Sequence, residues 1–159
     1  MNPKFLKSIH TKIGIVTVTT AMLLCGCGGG DPEPAQPTES EKVTQILTSN
    51  GGTWAPKSSA GVTIDGVDVT EDLFSGFSIT FSKTTFTTTG TSPVWLREDT
   101  WRFKDENATV IIRGQDNKEI TIEEISDTQM KLTLEWTETT TDGGRKKSLK
   151  GKHEFLLNK

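Results

Sequence analysis

The chain has 159 residues, enough for one ordinary domain, and its 32% hydrophobic and 25% charged content suits a fold with a polar surface rather than a membrane protein. The formal net charge is −3, but Lys4, Lys7 and Lys12 sit in a first stretch of 26 residues that holds no acid; without them 15 basic residues face 21 acidic ones, a net of −6. So acidic a remainder excludes sequence-independent nucleic-acid binding, which needs clustered Lys and Arg to displace counterions. The one basic run, Arg145 to Lys152, reads as the solvated face of a strand.

The N-terminus is basic in "MNPKFLKSIHTK" and apolar in "IGIVTVTTAMLL", the order of a secretory signal. Ile13 to Leu24 is about half of the roughly 20 residues that cross a bilayer as a helix. Leu24-Cys25-Gly26-Cys27 resembles the lipobox of bacterial lipoproteins, with Cys25 in a place usually held by Ala, Ser or Thr. The resemblance implies a lipoprotein signal peptide over 1–26 and a lipid attachment at Cys27, with Cys25 discarded. A dithiol site is disfavoured, because the chain has no further Cys and the pair is not C-x-x-C. More than one acyl chain gives a stable anchor, at about 0.8 kcal/mol per buried CH₂. Residues 27–38, "CGGGDPEPAQPT", are rich in Gly and Pro and read as a flexible tether.

From residue 39 the chain reads as one folded domain to 159. Thr38-Glu39-Ser40-Glu41 fits a capping box, and Val43, Ile46 and Leu47 follow at helical spacing until Asn50-Gly51-Gly52 stops the helix. Strand patterns follow. Thr53 to Lys57 is one, Val62 to Ile64 a weaker one. Phe77, Ile79 and Phe81 alternate with polar residues in "FSITFS", and "TTFTTT" comes after a Ser-Lys turn. Trp101 and Phe103 alternate next, and "ATVIIRG" is an apolar run of strand length. In the strand of Ile120 and Ile122, Ile125 breaks phase and predicts a bulge or an end. "MKLTLEWTE" sets Met130, Leu132, Leu134 and Trp136 on one face and Thr133 among the polar residues of the other. Asp142-Gly143 signals a tight hairpin. The last strand puts Leu149, Gly151, His153, Phe155 and Leu157 on one face.

With no crossover helix between them, about eight such strands predict an all-β, antiparallel up-and-down meander barrel with a short N-terminal helix; a β-sandwich is the alternative. The short helix, Gly52-Thr53-Trp54 at the first strand, "VTIDGVDVT", "FSITFS", "MKLTLEW" and the terminal "GKHEFLL" are together similar to the lipocalin-like lipoproteins of Bacteroidetes-type bacteria. That resemblance, over Val43 to Leu157, implies a lipocalin-like barrel in which Gly52 and Trp54 close one end. Lipocalins also carry a late Arg across this Trp; Arg145 or a nearby Lys is the candidate for that place here.

Chemistry is sparse. His153 is the single histidine beyond the signal, and its phase points it inward. It reads as a hydrogen-bonded core histidine or as a polar contact for a ligand, since a general base needs a nucleophile and an orienting acid that the sequence does not mark. No metal is expected, because one His without Cys cannot complete a zinc site. The carboxylates of Asp65, Asp68, Glu71 and Asp72, and of Glu123, Glu124 and Asp127, read as solvated loops. Trp95, after Pro93 in a loop, is expected to be exposed at the barrel mouth, where it could stack on a ligand or partner.

The expected function is therefore non-enzymatic and cofactor-free: a lipoprotein anchored to the bacterial cell envelope, in the outer membrane, that binds a small hydrophobic or amphipathic ligand. Phe77, Phe81, Trp101, Phe103, Trp136 and Phe155 would line the cavity and His153 would be its polar handle. The alternative is a structural or interaction lipoprotein of a cell-surface complex, acting through its loops on a partner protein with no ligand cavity.

Overall fold

The structure is a computed structural model that describes residues 35–138 and 149–159, together with the backbone of 141–142 and 145–146. Residues 35–159 form one compact unit. The expected signal peptide, Cys25, Cys27, most of the tether, Gly143 and the Arg145 side chain lie outside the described residues.

Helix α1 (Glu39–Thr48) starts where the capping box predicts. The Thr38 hydroxyl accepts the Glu41 N–H at 3.2 Å and the Glu41 carboxylate accepts the Thr38 N–H at 2.8 Å. Leu47 is buried, while Val43 and Ile46 pack at the core's edge. A single 3₁₀ turn then carries the chain through Asn50, Gly51 and Gly52, all with positive φ, into the first strand.

Among the described residues twelve strands follow: β1 (Thr53–Pro56), β2 (Val62–Ile64), β3 (Val67–Asp68), β4 (Ser78–Phe81), β5 (Thr85–Thr89), β6 (Glu98–Phe103), β7 (Val110–Arg113), β8 (Glu119–Ile125), β9 (Gln129–Trp136), β10 (Thr141–Asp142), β11 (Arg145–Lys146) and β12 (Gly151–Asn158). A four-residue helix, α2 (Thr70–Leu73), lies between β3 and β4. From β4 to β9 each strand pairs antiparallel with the next, and β9 pairs with β12 over eight residues. The other edge of β12 takes two short partners end to end: β1 through Ala55↔Asn158 and Pro56↔Leu157, then β2 from Phe155↔Val62 to His153↔Ile64. β1 in turn pairs with β4 through Thr53↔Thr80 and Trp54↔Ile79, closing the ring. The result is a closed eight-stave antiparallel barrel whose first stave is split between β1 and β2. Closure rules out the sandwich.

The alternating patterns become the inward face. Ile79, Ile111, Ile120, Leu132, Phe155 and Leu157 are all buried. Ile125 follows a register shift between Ile122 and Glu124, the irregularity its broken phase predicts. Two positions differ from the pattern. Thr133 is buried, its hydroxyl donating to Glu123 Oε1 at 3.1 Å, which satisfies it on a crowded outer wall. Leu149 precedes β12 instead of joining its inner face, and it is exposed. The hairpin at Asp142 forms as β10–β11, pairing Asp142 with Arg145.

Trp54 is fully buried where the first stave begins, and its indole N–H donates to the Leu47 carbonyl at 3.0 Å, tying α1 to the barrel. Among the described residues the cation across it is Lys159, with Nζ 4.4 Å from the ring centroid. Lys159 also donates to the Ile46 carbonyl at 2.6 Å and to the Ser49 hydroxyl. Burial lowers its pKa and nearby Asp127 opposes the shift. Gly52 meets both conditions that require glycine: φ is +67°, and a Cβ would overlap the Phe81 carbonyl oxygen. Its own carbonyl accepts the Phe81 N–H at 2.9 Å. Gly51, at φ +84°, has open space around it. Gly51→Ala should therefore cost about 1–2 kcal/mol of left-handed strain alone. Gly52→Ala should cost clearly more, and equal losses in urea denaturation would show that the close approach to Phe81 is unimportant.

Candidate functional site

The expected lining residues separate into two aromatic groups. At the α1 end, Trp101 meets Phe81 at 5.8 Å and Phe103 at 5.1 Å between ring centroids. The Trp101 indole N–H is shared between the carbonyls of Ser82 and Thr85, so this group is satisfied and closed; Phe103 is half-buried at its edge. The second group surrounds Phe155. Phe74, Trp95 and Phe77 lie 5.3, 5.7 and 6.1 Å from its ring, and His153 stacks on it at 6.3 Å. Phe86 joins the groups, 6.2 Å from Phe81 and 5.4 Å from Trp95.

Trp95 corrects an expectation: it is 6% exposed, not a rim residue open to solvent. The Ser92 hydroxyl accepts the N–H of Val94 at 3.4 Å and of Trp95 at 2.9 Å, turning the loop inward after Pro93. Both apolar side chains then drop into the barrel.

Arg113, which the sequence pattern did not single out, is fully buried beside Trp95. It pairs with Trp101 across β6–β7 and so shares that residue's inward phase. Its guanidinium lies 5.7 Å from the Trp95 ring and 5.9 Å from the Trp136 ring. Nε donates to Asp116 Oδ1 at 3.0 Å, Nη2 to Asp116 Oδ2, and Nη1 to the Val94 carbonyl at 2.6 Å. The charge is thus paired, hydrogen-bonded and held between aromatic faces, the conditions under which burial of an Arg is tolerated. Partial burial raises the Asp116 pKa, but hydrogen bonds from Arg113 and the Lys118 amide and both cationic charges outweigh it, leaving the carboxyl below its ordinary range. Lys118 reaches the outer part of Trp136, 4.9 Å from the ring.

His153 is fully buried. Its Nε2 lies 3.0 Å from the Leu149 carbonyl, which only accepts, so Nε2 carries the proton and Nδ1 is a bare acceptor. Among the described residues, His153 Nδ1 and Trp95 Nε1 are the buried side-chain polar atoms without a hydrogen-bond partner. Burial lowers the His153 pKa, while the Leu149 carbonyl and the charges of Asp65 and Glu135 pull it back up.

The barrel wall is incomplete near this group. β1 leaves β4 after Trp54, and α2 with Phe74 occupies the adjoining wall. A surface depression of about 320 Å³ opens there, among Ala55, Pro56, Thr70, Phe74, Phe77 and others. Phe74 connects it to His153 and Phe155, and Phe77 connects it to Trp95 and Phe155.

Asp65 and Asp68 serve turns, whereas Glu123 and Glu124 lie in β8 rather than in a solvated loop. Asp68 accepts the hydroxyl and N–H of Thr70 and the N–H of Ala60, and those bonds lower its pKa. Asp65 turns the β2–β3 hairpin with Gly66 and accepts the Lys152 N–H at 2.9 Å. Among the described residues, no three His, Cys, Asp or Glu side chains gather where they could hold a metal ion. No protein-family model, curated protein or solved structure matches the chain.

Burial of a neutral His153 has a sign in stability. Its folded pKa lies below the ordinary 6.5. As pH falls through 6.5 the unfolded chain gains a proton that the folded chain refuses, so stability drops until the folded pKa is passed. The limit is about 1.4 kcal/mol per pH unit. Thermal melts of the full chain between pH 8 and 5.5 should show this loss, and His153→Gln should flatten it. An unchanged slope in the variant would mean that His153 does not titrate differently on folding.

Proposed function

We propose that the chain is a membrane-anchored, lipocalin-like lipoprotein of the bacterial envelope that carries a small hydrophobic or amphipathic molecule and performs no catalysis. The observation behind the carrier reading is the depression at the β1–β4 seam, floored by Phe74 and Phe77, the two rings that connect to the Phe155 group. A ligand seated there would bury its apolar surface against this lining, at about 25 cal/mol per Å² of apolar area removed from water. The anchor rests on the resemblance of Leu24 to Cys27 to a lipobox.

A second reading is an interaction lipoprotein of a cell-surface complex. It draws support from the mutual packing of the inward aromatics, and from Val67 and Leu149, which are 66% and 44% exposed. Both flank the β2–β12 ladder: Val67 pairs with Ile64, Ile64 pairs with His153, and Leu149 binds the His153 ring.

Metabolic labelling with a fatty-acid analogue tests the anchor. Incorporation should vanish in Cys27→Ser and persist in Cys25→Ser, and the reverse pattern would place the lipid on Cys25. Native mass spectrometry of the Ala35–Lys159 unit, recovered from its native cells, tests the carrier reading. A retained small molecule of a few hundred daltons is the expected result, whereas an empty barrel with a stoichiometric protein partner would decide for the interaction module.

A further inference from the structure

The β1–β4 ladder stops at a proline. The Phe81 N–H donates to the Gly52 carbonyl, and Trp54 stands opposite Ile79. Hydrogen-bonded pairs recur at every second residue of an antiparallel ladder, so the next one would join Pro56 to Phe77. It cannot form. Pro56 has no N–H, and the Phe77 N–H donates to the Phe74 carbonyl at 3.0 Å. The alternation also fixes where the two carbonyls face. Ala55, opposite Asn158, and Lys57, whose N–H reaches the Leu156 carbonyl, turn their backbone groups to β12. The Pro56 carbonyl therefore faces β4, and the Phe77 carbonyl, in phase with Ile79, faces β1. Among the described residues neither carbonyl accepts a hydrogen bond. Both residues line the depression of about 320 Å³ at the seam, with Phe74 and Glu71 beside them.

The seam is thus rich in acceptors and short of donors. Besides the two carbonyls it holds the Glu71 carboxylate, which forms no ion pair among the described residues. The Ser78 hydroxyl is already engaged with Thr89 at 2.9 Å. Lys57 is the one cation in the lining; it is exposed, and its long stem lets the ammonium turn out to water. We propose that the seam seats the primary ammonium head of an alkyl amine, which donates to the Pro56 or Phe77 carbonyl beside Glu71 and lays its chain on Phe74 and Phe77. An ammonium brings three donors and no acceptor, so one N–H on either carbonyl suffices and the others can meet Glu71 or water. A carboxylate head would add an acceptor where acceptors are already in excess and would face Glu71 at like charge. An alcohol brings one donor and no charge, and the aromatic floor favours a cation over either. The seat rests on the carrier reading and narrows it from amphipathic molecules in general to amines.

The test uses the Ala35–Lys159 unit, which holds every stave of the closed barrel, with ¹³C-labelled proline and phenylalanine carbonyls and three probes of matched length at pH 7: decylamine, 1-decanol and sodium decanoate. Amide dispersion in the same samples reports that the protein is folded. When decylamine binds, the Pro56 or the Phe77 carbonyl resonance should move downfield, as a carbonyl does on gaining a hydrogen bond, and decanoate should leave both in place. By calorimetry the amine should bind about tenfold more tightly than the alcohol, the margin of a charge-assisted hydrogen bond over a neutral one. Glu71→Gln should remove part of that margin. Pro56→Ala, which gives β1 an N–H facing the Phe77 carbonyl, should also narrow it. Decanoate binding as tightly as the amine would overturn the ammonium seat while leaving the carrier standing. So would an amine that binds with both carbonyl resonances unmoved, or a full margin in both variants. Failure of all three probes to bind, with no small molecule retained from native cells, would remove the carrier reading itself.

Discussion

The barrel depends on how β12 is used. Along one edge it runs beside β9 without interruption for eight residues; along the other it must serve two short strands, β1 and β2, with the chain between them joined to β12 by two backbone bonds. Those bonds, from the Lys57 N–H to the Leu156 carbonyl at 3.4 Å and from the Leu156 N–H to the Gly61 carbonyl at 2.7 Å, keep the ladder satisfied across the excursion. A continuous first stave would have stayed on β4 and sealed the wall. The split stave closes the ring at its α1 end and leaves its other end to α2 and Phe74. One economy of pairing thus creates both the closure and the seam.

The two ends are stabilised by different physics. At the α1 end the core's polar side chains among the described residues have partners: Trp54 donates to Leu47, Trp101 to Ser82 and Thr85, and Lys159 sits over Trp54 while donating to α1. Such an end is built for rigidity. The other end holds a buried Arg113 guanidinium paired with the partly exposed Asp116, a buried histidine and an indole without an acceptor. Burying the guanidinium and the two unpartnered atoms costs desolvation that hydrocarbon in their place would not. Polar groups concentrated at one end of an otherwise apolar barrel are a sign of specificity rather than of stability.

Much of this was legible in the chain. Period-two alternation located five staves, because each has one face in the core and one outside, and short strand-length runs located β5 and β7. The capping box located α1, and the phase of His153 placed it inside. What escaped has local physical causes. Arg113 ends an apolar run, where a charged residue reads as the way out of a strand; its inward phase shows only once β7 is paired with Trp101. Trp95 lies in a loop with no periodicity, and its burial is set by the Ser92 hydroxyl and by the Val94 carbonyl's bond to Arg113, a contact made across 19 residues of chain. Lys159 reaches Trp54 across more than a hundred residues, and only barrel closure brings them together. Phe74 stands between two patterned strands and looks like turn filler, yet it fills the opening where the stave is split.

Three of these late-appearing residues, Arg113, Trp95 and Phe74, converge, while Lys159 stands at the α1 end. Arg113 holds the Trp95 loop by its backbone, Trp95 packs against Phe155, Phe74 bridges Phe155 to His153, and the seam opens beside Phe74. Trp95 and Phe74 lie outside the alternating pattern that builds the barrel, whereas His153 and Phe155 belong to it and Arg113 shares the inward phase of Trp101. A barrel needs only regular inward hydrocarbons to close. Arg113, Trp95 and His153 are buried yet carry polar atoms that hydrocarbon packing does not call for, and two of those atoms, His153 Nδ1 and Trp95 Nε1, have no partner among the described residues. They gather around Phe155 and Phe74, at the end of the barrel where the first stave is split, so the irregular chemistry and the irregular pairing of the wall fall in one region while the regular staves account for closure.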